Sequence, residues 1–110
     1  MPSRSAAARD HSPKLIALVW IEDDAGRISR GETDIVTSEG LQVRLSEAPG
    51  FGQGDEVAVR LSFERGAATV AVTARVAWLR GAARQVECRL EWSTPPGERK
   101  DLEAWLAKAA

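Results

Sequence analysis

Along most of this chain apolar residues recur at every second position, the period of a strand with one buried face. Val57, Val59, Leu61 and Phe63 share one parity, with Ala58, Arg60 and Ser62 between them. Val70, Val72, Ala74, Val76 and Trp78 form a second such series, and Val86, Cys88, Leu90 and Trp92 a third. In the third the intervening positions are Gln85, Glu87, Arg89 and Glu91, a wholly polar row that fits a sheet with one face in water. Upstream, an apolar run over residues 15–21 leads into Glu22, Asp23, Asp24, Ala25 and Gly26, which reads as a strand and then a loop. Residues 33–36, and then Leu41, Val43 and Leu45, read as two short strands flanking a turn at Ser38, Glu39 and Gly40. Residues 49–54 hold too much Gly and Pro for a regular element and predict a surface loop. Further turns are expected at residues 64–66 and 80–82, and such short connections make consecutive strands antiparallel. After Thr94, whose hydroxyl is placed to cap, and Pro95, which needs no amide donor, a helix of about three turns is predicted. Its apolar face is Leu102, Trp105, Leu106 and Ala109, with Arg99, Lys100, Glu103 and Lys108 turned away. The expected fold is mainly β: about six strands and a C-terminal α-helix.

Composition narrows the function. The 110 residues suit one domain, taken as residues 15–110, behind a polar, Ala-rich flexible tail over residues 1–14. Hydrophobic residues at 44% and charged residues at 28% mark a folded globular chain. A net charge of -1 removes any global attraction to nucleic acid or anionic lipid, and the longest apolar run is far short of the roughly 20 residues that span a bilayer. One cysteine, Cys88, cannot make an internal disulfide, so a cytoplasmic setting is expected, and its parity points the thiol inward. The only histidine, His11, lies in the tail, and no Cys/His cluster has metal-ligand spacing, so no catalysis and no cofactor are expected. The acidic run at residues 22–24 reads as a solvated turn. Gly50, Gly52 and Gly54 precede a strand where a nucleotide fingerprint needs a helix. Phe51 between them has two readings, tucked under its own loop or exposed as a partner-binding contact. Trp20, Trp78, Trp92 and Trp105 read as core or barrel-plug packing. Arg75, Arg80, Arg84 and Arg89, interspersed with Glu87 and Glu91, read as a solvated face of mixed sign.

The turn ending in Gly40, the Gly-rich loop before a strand, the two long strands and the closing amphipathic helix together resemble the PilZ family over residues 15–105. The resemblance implies a six-stranded β-barrel and a bacterial signalling role, many members being receptors for cyclic di-GMP. That ligand has two phosphates and two guanines, which arginines grip by bidentate hydrogen bonds and stacking. The family's two motifs are RxxxR before the first strand and [D/N]xSxxG at a strand turn. Residues 35–40 read Ile, Val, Thr, Ser, Glu, Gly, so Gly40 matches, Thr37 stands for the Ser, and Ile35 occupies the Asp/Asn position. Arg4 and Arg9, and Arg9 and Lys14, are each five apart rather than four, and Arg27 and Arg30 follow the first strand, so the arginine motif is absent. The resemblance implies a divergent, non-catalytic adaptor in motility or signalling that binds a protein partner. The alternative is a cyclic di-GMP receptor using Arg4, Arg9, Lys14, Thr37 and Gly40. Self-association is left open.

Overall fold

The computed structural model describes residues 17–33, 35–82 and 84–109. Six strands, β1 (Ala17–Glu22), β2 (Ile28–Thr33), β3 (Gly40–Leu45), β4 (Glu56–Ser62), β5 (Val70–Ala82) and β6 (Gln85–Trp92), form a closed antiparallel barrel in the order β1-β2-β3-β6-β5-β4. A short 3-10 turn (Pro96–Glu98) leads to the helix α1 (Lys100–Ala109). The mainly β fold with a C-terminal helix is therefore the one expected. The proposed tail over residues 1–14 lies outside the described residues.

The interior is built by the alternation read from the sequence. Val57, Val59 and Leu61 of β4, Val70, Val72, Ala74 and Val76 of β5, and Val86, Cys88 and Leu90 of β6 are all buried. Ala17, Val19 and Ile21 of β1 and Leu41, Val43 and Leu45 of β3 complete the lining. Burying a side chain of this size contributes about 1.5–3 kcal/mol. Helix α1 adds Leu102 and Leu106 to the same core, and Trp105 stacks on Phe63 at 5.2 Å between ring centroids.

Four local expectations are corrected. The second strand occupies Ile28–Thr33 and not residues 33–36, where only Val36 makes an isolated bridge, to Leu41. Its signal was hidden because the inward positions, paired with Ile21, Val19 and Ala17, are the small residues Ser29, Gly31 and Thr33. A larger residue does not fit: a Cβ on Gly31 would collide with the Arg44 carbonyl oxygen of β3. β5 runs on to Ala82, past the turn expected at residues 80–82, because Gly81 takes a positive φ of 117° that keeps the hairpin paired. Thr94 does not cap a helix: its hydroxyl accepts from the Thr73 amide at 2.7 Å and bonds the Thr73 hydroxyl at 2.8 Å. Arg99 does not face away either. Its side chain is only 11% exposed, beside Glu103 at 3.4 Å.

Among the described residues the β2–β3 seam has the fewest registered pairs, Gly31 with Leu45 and Glu32 with Arg44. Thr33, buried completely, reinforces it by donating its hydroxyl to the Gln42 carbonyl at 2.6 Å and accepting from the Ile35 amide at 3.2 Å. Thr33→Val keeps the shape but strips the hydroxyl from a buried acceptor, and should lower stability by about 1–3 kcal/mol in urea denaturation. A loss below about 0.5 kcal/mol would mean that the seam holds without it.

Candidate functional site

The turn that matches the family motif is built by its threonine. The Thr37 amide donates to the Gly40 carbonyl at 2.8 Å, and the Thr37 hydroxyl donates to the same carbonyl at 3.0 Å. That hydroxyl oxygen also accepts from the Glu39 and Gly40 amides, each at 3.2 Å. A hydroxyl has one proton and two lone pairs, and all three are used inside the turn. Gly40 is needed for a close approach: an added Cβ would run into the Leu90 carbonyl oxygen on β6. Trp92 anchors the turn from below, its indole N–H donating to the Thr37 carbonyl at 2.9 Å. Ile35 is 42% exposed, an aliphatic group in water at the position where the family carries Asp or Asn.

Of the other expected site residues, Phe51 alone lies among those described. Arg4, Arg9 and Lys14, like His11, lie outside the described residues. Phe51 is 5% exposed and belongs to the barrel core, so it is packing and not a partner-binding contact. Its Gly-rich loop is tied to β5 by Gly54 donating to the Val76 carbonyl at 2.8 Å and Val76 donating to the Asp55 carbonyl at 2.9 Å. The acidic turn is solvated only at Glu22 and Asp24: the Asp23 side chain is 9% exposed, its carboxylate accepting from the Ala25 and Arg27 amides at 2.9 and 3.0 Å and from the Arg27 guanidinium at 3.2 Å. These bonds, the Arg27 amide first, hold its carboxyl below the ordinary 3.8. Cys88 is sealed in the barrel, and burial pushes its thiol up to about 12, so it is not a nucleophile.

The tryptophans divide. Trp92 and Trp105 pack against the core as expected, but Trp20 and Trp78 stand on the outer wall. Trp20 lies between inward Val19 and Ile21, an alternation that an unbroken apolar run conceals. Trp78 is moved outward by a bulge between Val76 and Trp78 that switches parity within β5, so it pairs with Arg89 and lies 4.3 Å under the Arg80 guanidinium.

Trp20 borders two clefts in the barrel wall. One, of about 570 Å³, has Ala58 and Ala71 on its floor and Ile28, Glu22 and Arg60 at its sides. The other, of about 500 Å³, brings together Leu18, Arg30, Glu32, Arg44 and Arg84. Reading along the chain missed both, since their walls come from strands distant in sequence, and no spacing of Trp20 and the arginines signals them.

The PilZ domain profile matches residues 10–108, nearly the whole chain. The chain belongs to the PilZ domain family. In three dimensions the PilZ barrel resembles the structure of the Bacillus subtilis inhibitor of motility (MotI/DgrA), with a TM-score of 0.67 at 16% identity. The likeness covers 86% of this chain and 47% of that one, so the PilZ chain spans about half the length of its structural neighbour, and at this identity it shows the shared fold. No curated protein matches the sequence. Within the PilZ frame, the motif turn keeps its glycine and its hydroxyl residue but lacks the hydrogen-bonding group at Ile35.

Two outcomes follow from this geometry. Thr37→Val should cost about 1–3 kcal/mol in urea denaturation, because the Glu39 and Gly40 amides lose their shared acceptor. Asp23 is the stronger acid when folded, so its contribution is complete above the ordinary carboxylate range and is lost as pH falls through the lower folded value. Stability measured from neutral pH downward should therefore show a constant gap between wild type and Asp23→Asn that closes under acid; a gap that widens there would contradict the assignment.

Proposed function

We propose that this PilZ domain is a non-catalytic adaptor that acts by binding a protein partner and does not hold cyclic di-GMP through the family's usual contacts. The observation that carries the reading is the motif turn, where the Thr37 hydroxyl is fully used within the turn and Ile35 offers no acceptor. Loss of one charge-assisted hydrogen bond weakens binding by about ten- to a hundredfold, before the absent arginine pair is considered. The chemistry that remains supports recognition over catalysis: the one thiol is sealed, and the outer wall presents Trp20, Trp78 and several arginines, side chains that dominate binding surfaces. The neighbour's name, inhibitor of motility, fits a regulatory role for the shared fold. The family's signalling context and the free thiol suit a cytoplasmic setting.

Calorimetric titration of the full chain with cyclic di-GMP tests this. The expected result is no saturable heat; binding at about 1 μM or tighter would overturn it. If that heat disappeared in Arg9→Ala with Lys14→Ala, the chain would instead be a receptor working through its N-terminal cations.

A further inference from the structure

The chain is close to neutral, with fifteen Lys and Arg against sixteen Asp and Glu, yet one part of its wall is not. The cleft beside Trp20 collects Arg30 from β2, Arg44 from β3 and Arg84 from the β5–β6 turn, with Glu32 the one carboxylate among its described lining residues. Arg44 lies 3.9 Å from Glu32. Arg30 and Arg84 make no ion pair with a described residue, whereas Arg27, Arg80 and Arg99 pair with Asp23, Glu87 and Glu103. The charge of Arg30 and Arg84, with no described counterion, in a concavity of about 500 Å³ concentrates the field on whatever enters it. The same cleft has an apolar wall in Trp20 and in Leu18, which is 51% exposed. Past Trp20 the surface continues over the Ala58 and Ala71 floor of the second cleft, bordered by Ile28, 61% exposed.

We propose that this cleft receives an acidic segment of a partner protein, its carboxylates on Arg30 and Arg84 and an apolar side chain on Trp20. The inference rests on the adaptor reading and names the partner's chemistry. Guanidinium groups bind carboxylates by bidentate hydrogen bonds, and an indole beside them supplies an apolar anchor. A concave site with Glu32 on its wall, and Glu22 in the adjoining cleft, suits a peptide segment better than a planar membrane or a continuous phosphate backbone.

The test is selection of a random phage-displayed dodecapeptide library on the full chain, followed by anisotropy titration of the synthetic winners against wild type, Arg30→Glu with Arg84→Glu, and a control, Arg65→Glu, in the exposed turn between β4 and β5 and outside both clefts. Circular dichroism and thermal melting report folding, and Arg30→Gln with Arg84→Gln replaces the reversal if that variant does not fold. Winners are expected to combine Asp or Glu with a large apolar residue. They should weaken about tenfold or more on the double variant, keep their affinity on Arg65→Glu, and bind less tightly as salt rises. Winners without acidic residues overturn the inference. Winners that bind the double variant equally well place the partner surface elsewhere and leave the adaptor reading standing. No winners at all overturn both. Tighter, arginine-dependent binding of phosphatidylglycerol vesicles or of an oligonucleotide would assign the cleft to that class instead.

Discussion

A six-stranded sheet becomes a barrel only if its last seam closes, and here the sparse seam lies between β2 and β3. Two registered pairs span it, so the buried Thr33 hydroxyl on the Gln42 carbonyl matters more than a single hydrogen bond would in a long ladder. Glycine does the steric part: Gly31 lets β2 approach the Arg44 carbonyl, and Gly40 lets the start of β3 approach Leu90. With the seam closed every strand has a neighbour on both sides, and the aliphatic side chains of all other strands gain a common interior.

Closure also decides what faces water. Once the interior is filled with Val, Leu and Ile, every intervening position becomes wall, and that is where Trp20, Arg30, Arg44 and Arg60 lie. The β5 bulge adds Trp78 to this outer set and stacks it beneath Arg80. The wall, and not the barrel interior, therefore holds the groups available for recognition, while the one thiol is shut inside with an ionisation pushed far above neutrality.

The motif turn separates what the backbone requires of a family position from what a ligand would require. Gly40 is required by the backbone of β6, and Thr37 is required by the turn itself, so both would persist in a PilZ barrel that bound nothing at this place. Only position 35 is free of such demands, and there the chain carries an exposed isoleucine. This separation makes an adaptor a more economical reading of the site than a weakened receptor.

Read alone, the sequence determined the fold class, the buried faces of β3 to β6, the amphipathic helix and the inward thiol, because large aliphatic residues at period two leave a pattern that local burial explains. It hid β2, whose inward residues are Ser29, Gly31 and Thr33, and it misassigned Trp20 and Trp78, since neither an unbroken apolar run nor a bulge preserves parity. Thr94 had the features of a helix cap, but Thr73, distant in the sequence, held its hydroxyl instead. The tertiary structure decided the rest: strand register brought Arg30, Arg44 and Arg84 around one tryptophan. Nothing in their sequence spacing encodes that meeting, because it depends on which strands close the barrel.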